Sequence, residues 1–223
     1  MPAVHLLNHA DPAVAAQVLA VLRPAAAQEA GWLGLPQPDW PAARRAAGDE
    51  PERSEADDVA DDVAEICAST QVYLGAWLGS AQGPGWELTG VAEASGGSDA
   101  SDAAGPAHLA GVLSLAPDDG DPDRLCIALL VVAPWAQRRG LGRALVLAAL
   151  QHGQGRGFSV TAARANAVAL ALYGGLGFVP GRLGLLGAAR LPVVQLLRAP
   201  GAAPMASTVV STVVSTASSA ASS

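Results

Sequence analysis

Nine consecutive apolar residues, Leu125 to Ala133, run into the segment Val132-Ala133-Pro134-Trp135-Ala136-Gln137-Arg138-Arg139-Gly140-Leu141-Gly142-Arg143. This junction constrains the fold more than any other stretch of the chain. An apolar run of that length, closed by Pro134, reads as a strand with both faces buried. Beyond the glycines, Leu141, Leu145 and Ala148 recur at helical spacing, so a helix is expected from about Gly140 to Gly153. At this junction, among two glycines, sit three of the chain's thirteen Lys and Arg residues. A helix start presents backbone N–H groups that lack internal partners, and the helix dipole makes that end positive. Glycines let a ligand approach the backbone closely, and arginines add charge-assisted bonds. The junction is therefore a cradle for phosphate on physical grounds. Dinucleotide and P-loop patterns both fail on residues: the third glycine of G-x-G-x-x-G would fall at Leu145, and no Gly-Lys-Ser/Thr follows.

The rest of the chain supplies a sheet for that junction to sit in. Val4–Leu7 reads as a short strand, and Asp11-Pro12 as an N-cap with proline in the first helical position. The helix it opens lines up Val14, Val18, Val21 and Leu22 on one face. Residues 31 to 41, GWLGLPQPDWP, read as a loop, and a second helix is expected from Ser54 to about Ala68. Its acidic side carries Asp57, Asp58, Asp61, Asp62 and Glu65, opposite Val59, Val63 and Ile66. Gln71–Gly79 and His108–Ala116 read as antiparallel partners, separated by a Gly/Ser/Ala/Asp-rich insertion over about 83–107. Phe158–Ala163 is the next strand, Asn166–Gly174 a helix, and Phe178–Leu186 and Pro192–Arg198 the last two strands. The order βααβββαβαββ implies an α/β chain with a mixed sheet and helices on its faces.

Composition bounds the function. With 51% hydrophobic and 15% charged residues the chain reads as globular, and 223 residues suffice for one domain with a real core. A net charge of -7 argues against a nucleic-acid footprint, which needs a basic face. Cys67 and Cys126 stand far apart in apolar settings with no C-x-x-C spacing, so reduced thiols and no metal site are expected. No secretory signal and no membrane-length apolar run is visible, which points to a cytoplasmic protein. One domain is expected over 1–200. Residues 201–223, which are uncharged and contain a TVVS repeat, are expected to be a disordered tail.

Gln137-x-x-Gly140-x-Gly142 after Val132-x-Pro134 resembles the pyrophosphate motif of the GNAT family of N-acetyltransferases. Asn166-Ala167-Val168-Ala169-Leu170-Ala171-Leu172-Tyr173-Gly174-Gly175-Leu176-Gly177-Phe178 is similar to that family's second signature, N-x-x-A-x-x-L-Y-x-x-x-G-F. The resemblance covers about residues 4 to 198, with its specificity in 130 to 178. It implies an acyl-CoA N-acyltransferase fold: a mostly antiparallel twisted sheet, with Leu125–Ala133 and Phe158–Ala163 as a parallel pair. It implies acetyl-CoA as co-substrate, no metal, and a primary amine as acceptor, attacked directly in a ternary complex. Leu130, Val131 and Val132 would offer strand-edge backbone groups to the pantetheine arm, and a strand-edge N–H, that of Val132, would stabilise the oxyanion. Gln137, Arg138, Arg139, Gly140, Leu141, Gly142 and Arg143 would hold the pyrophosphate, largely through main-chain N–H groups. Asn166 would contact the cofactor arm, and Tyr173 would protonate the leaving thiolate.

One branch of the family, the ribosomal-protein acetyltransferases, uses as base a glutamate five residues before the asparagine. Here that position is Thr161. The base stays open among Glu29, Glu65, Glu87, His108 and Asp123, with a water chain as the alternative. A small-molecule amine is the expected acceptor. Trp32, Trp40 and the acidic helix suit a cationic one. A protein lysine or N-terminal acetyltransferase and a non-catalytic acetyl-CoA-binding module are the competing readings. Oligomeric state, monomer or homodimer, is left open.

Overall fold

The computed structural model describes residues 3–35, 55–78, 108–187 and 189–202, with the side chains of 55–58 excluded. The expectations for residues 36–41, Trp40, Ser54, the insertion, Glu87 and the tail beyond 202 lie outside the described residues, as do those for the Asp57 and Asp58 side chains. Seven strands form one sheet: β1 (Ala3–Leu6), β2 (Val72–Leu78), β3 (His108–Asp118), β4 (Asp121–Val132), β5 (Gly157–Ala163), β6 (Val179–Leu186) and β7 (Leu191–Arg198). Their spatial order is β1-β2-β3-β4-β5-β7-β6, and all neighbours are antiparallel except the parallel pair β4 and β5. The helices are α1 (Pro12–Leu33), α2 (Glu55–Ala68), α3 (Leu141–His152) and α4 (Ala167–Gly174), with a 3-10 turn at Pro134–Ala136. This is the mixed sheet that the order of elements implied.

Two sequence expectations need correction. The loop expected from Gly31 begins later, because α1 runs on through Gly31, Trp32 and Leu33 and ends at Gly34, whose N–H returns to the carbonyls of Ala30 and Gly31. The alanine-rich turns Ala25 to Ala30 favour helix strongly enough to carry it past Pro24 and into the Gly-Trp stretch. Second, the apolar run in β4 is not buried on both faces: Ile127 and Val131 are buried, while Ala128 is exposed and its other apolar residues are half-buried. The strand also begins earlier than Leu125, and β3 extends to Asp118, so a hairpin fills the stretch between them.

Asp11 caps α1, its carboxylate accepting from the Ala13 N–H at 2.8 Å, with Pro12 in the first helical turn. Of the expected face, Val18 and Val21 are buried together with Ala15, Leu19, Ala25 and Ala30. Val14 and Leu22 are half-buried. On α2, Ile66 is buried and Val59 and Val63 pack against the core, whereas Asp62 turns to Arg23 of α1 in an ion pair at 2.9 Å. The acidic side is thus partly a helix–helix contact. Replacing Asp11 by Ala should cost about 1 kcal/mol through the lost cap. A thermal midpoint lower by about 2–4 °C checks it.

What shapes the site is the divergence of β4 from β5. They pair only from Arg124–Gly157 to Ile127–Val160. On the far side of β4 the register with β3 jumps from Leu115–Ile127 to Ser114–Leu129, which leaves Ala128 as an extra residue. Such a bulge bends its strand and increases the local twist. Beyond it, Leu129 to Val132 stay with β3 while Thr161 to Ala163 stay with β7, and a wedge opens between the two strands.

Candidate active site

The wedge exposes a strand edge. The Ala133 N–H donates to the Ala110 carbonyl of β3 at 2.8 Å, so residue 133 faces β3. Backbone groups alternate along a strand. Val132 and Leu130 therefore direct their N–H and C=O groups into the wedge, and Val131 directs its own to β3 while its side chain enters the core. Of the three strand-edge residues expected to meet a ligand arm, two present backbone groups to the gap.

At the open end of the wedge the chain turns through Arg138 (φ 63) and Gly140 (φ 80), both in the left-handed region. Only glycine takes that conformation without strain, and at Gly140 a β-carbon would project into open space. Gly140 is the N-cap of α3 and supplies no side-chain cap, so the first N–H groups of this twelve-residue helix have no capping partner. Gly142 lies one residue into the helix, where a β-carbon would stand 3.5 Å from Leu172 of α4 and 3.9 Å from Val132. The helix start, the β4 edge and α4 thus converge. Arg139 and Arg143 are exposed beside this end.

Gln137 has a different place from its motif neighbours. Its Nε2 donates to the Val132 carbonyl at 3.2 Å and to Oε1 of Gln28 on α1 at 2.5 Å. On the other bank of the wedge, Asn166 caps α4, its Oδ1 accepting from the Ala169 N–H at 3.0 Å. That bond fixes the amide so that Nδ2 is the free end, and it donates to the Glu29 carboxylate at 2.9 Å. Adjacent residues in the last turns of α1 therefore reach both banks, Gln28 towards β4 and Glu29 towards the end of β5.

Tyr173 lies in the last turn of α4, 4% exposed, its ring edge-on to Phe178 with centroids 5.3 Å apart. Among the described residues, nothing accepts a hydrogen bond from its hydroxyl. Burial first, then the negative charge of Glu29, holds the phenol well above its usual range. It stays protonated at any working pH, so its proton is there to be donated.

Among the base candidates, Asp123 belongs to the closed end of the wedge, where its carbonyl accepts from Arg156. His108 opens β3 and lines a pocket of about 520 Å³ with Gln17, Val21 and Trp135. Glu65 lies on α2. Thr161 is exposed on β5, one residue past its last pairing with β4. Glu29 is the candidate for which a hydrogen bond and an electrostatic effect both lead into the wedge. Gln28 escaped sequence reading. Its signal was only that two adjacent polar residues interrupt the alanine-rich end of α1. No group of three or more His, Cys, Asp or Glu among the described residues could hold a metal, and no described helix is long and apolar enough to cross a membrane.

Residues 98–178 match the family model described as acetyltransferase (GNAT) family. No curated protein matches the chain in sequence. Among solved structures, the fold is similar to that of an acetyltransferase of the GNAT family from Streptococcus pneumoniae, at TM-score 0.52 and 15% identity, covering 90% of this chain and 100% of that one. It is also similar to the ribosomal-protein-S18-alanine N-acetyltransferase from Escherichia coli, at TM-score 0.51 and 16% identity, covering 91% and 96%. Aminoglycoside 6'-acetyltransferase type Ii gives TM-score 0.51 and 14% identity, covering 88% and 96%. At these identities the likeness is one of fold.

Proposed function

We propose that the chain, whose residues 98–178 match the acetyltransferase (GNAT) family model, transfers an acetyl group from acetyl-CoA to the primary amine of a small molecule. The observation that carries this reading is the wedge itself: two backbone positions of β4 facing a gap that leads to the uncapped start of α3. The fit to the co-substrate is chemical. Orphan helix N–H groups beside exposed arginines suit a pyrophosphate, and strand-edge N–H and C=O groups suit the amides of a pantetheine arm. Acetyl-CoA supplies the activated thioester. Leu130 and Val132 hold and orient its arm, and an N–H of this edge faces the thioester oxygen as charge develops there. Holding both reactants in one wedge supplies much of the acceleration. Tyr173 donates to the departing sulfur.

A small cationic acceptor is supported by α1. Trp32 is 60% exposed three residues after Glu29, hence on the same side of the helix, and offers an aromatic face to a cation or an apolar body. Thermal shift tests the co-substrate. Acetyl-CoA or CoA at about one hundred times its Kd should add about 2.7 kcal/mol of stability, and NAD or ATP should add none. Release of free CoA with an amine panel then tests turnover. A shift with NAD or ATP and none with CoA removes the reading. Binding without any amine-dependent CoA release leaves a non-catalytic acetyl-CoA module.

A further inference from the structure

We propose that Glu29, on α1, is the carboxylate that draws the acceptor's ammonium into the wedge and takes its proton. This inference rests on the acetyltransferase reading above. The need for such a group is quantitative. A primary amine with a pKa near that of lysine is neutral in roughly one molecule in 2,500 at pH 7, so a bound ammonium must give up a proton before it can attack. The strand position that carries a glutamate in the ribosomal-protein branch is Thr161 here, a hydroxyl with no basicity at that pH. α1 supplies a carboxylate instead.

Three observations place it. Glu29 accepts from Asn166 Nδ2 at 2.9 Å, and the cap bond of Asn166 to Ala169 forbids the amide from turning away. The contact therefore ties Glu29 to the N-terminus of α4, the helix that carries Tyr173. Glu29 is exposed, so a charged substrate can reach it and a received proton can pass on to water. Its charge is also felt by the buried Tyr173 hydroxyl, which places the proton acceptor and the proton donor in one electrostatic unit.

The step then balances. The ammonium gives one proton to the Glu29 carboxylate, which releases it to solvent. The neutral nitrogen forms the N–C bond as the C–S bond breaks, and the sulfur leaves with the electron pair of that bond. Tyr173 donates its proton to that sulfur, and the surplus proton on the nitrogen restores the phenol as the amide forms. One proton is released overall and one stays on CoA.

The test uses the full chain, saturating acetyl-CoA, and tobramycin, spermidine and tyramine as acceptors, with CoA release measured for the wild type, Glu29→Gln and Glu29→Asp. Gln keeps the volume and can still accept from Asn166, so fold and cap are preserved while the basicity is lost. Turnover with Gln should fall by about 10²–10⁴-fold, the usual worth of a positioned base. Asp should retain an intermediate rate, and the Kd for acetyl-CoA by calorimetry should be unchanged in both. Turnover by Glu29→Gln within threefold of the wild type overturns the assignment and leaves the acetyltransferase reading standing. A loss of acetyl-CoA affinity as large as the loss of turnover also overturns it, since Glu29 would then act only by holding Asn166. A wild type that binds acetyl-CoA but turns over none of the three amines overturns both readings together.

Discussion

Gly142→Val should weaken acetyl-CoA binding by about 100-fold, whereas Arg143→Ala should cost no more than about fivefold. The difference follows from where the two positions lie. A β-carbon at 142 would meet Leu172 at 3.5 Å and Val132 at 3.9 Å, ordinary contacts that folding tolerates. The two methyls of valine then occupy the notch between the β4 edge and α4 and stand between a ligand and the first N–H groups of α3. Two charge-assisted hydrogen bonds at about 1.5 kcal/mol each amount to about 3 kcal/mol, or somewhat more than two decades of affinity. Arg143 is exposed, and a screened surface charge is worth at most about 1 kcal/mol. Calorimetry on both variants, with thermal melts to verify the fold, measures the two losses. A larger loss for Arg143→Ala would mean that side-chain charge, and not the backbone, holds the pyrophosphate.

The contrast between these two positions shows what a sequence can and cannot disclose. The glycine-arginine turn was legible because the physics behind it is local: a left-handed φ at Gly140 and orphan N–H groups at a helix start both follow from adjacent residues. The cap at Asp11 was legible for the same reason. The half-exposure of β4 was not. Its residues form a continuous apolar run, and it is the register slip at Ala128 against its hairpin partner β3, which no local residue pattern marks, that opens the gap along its edge. Gln28 was hidden in another way, and Glu29 stood undistinguished among five candidate bases. They lie in a helix that reads as alanine-rich scaffold, and only folding brings them across 109 and 137 residues of sequence to Gln137 and Asn166. The end of α1 was misjudged because Gly31 and Trp32 look like loop residues, while the helical turns behind them carry the chain on to Gly34. Residues that depend on non-local pairing are the ones that complete the site.

Tyr173→Phe should lower kcat by about 10²–10⁴-fold while leaving the Kd for acetyl-CoA within a factor of two. The substitution keeps the ring, and with it the edge-on contact to Phe178 at 5.3 Å and the backbone carbonyl that accepts from Phe178 and Leu176. What it deletes is a proton. The phenol is held above its usual range chiefly by burial and then by Glu29, so wild-type Tyr173 is fully protonated wherever the enzyme works, and the loss should be the same across neutral pH. A structural tyrosine would behave otherwise: losing a hydrogen-bonded hydroxyl costs about 1 kcal/mol of stability and leaves turnover intact. Here no described group accepts from that hydroxyl, so the melting curve of the variant should coincide with that of the wild type or lie slightly above it. The measurement pairs a kcat with a melting curve for each protein. A variant with near-normal turnover would return Tyr173 to the core and make water the donor to the sulfur. A variant that loses turnover without losing stability identifies a hydroxyl kept for its proton, at the end of a helix whose other end is tied through Asn166 to Glu29.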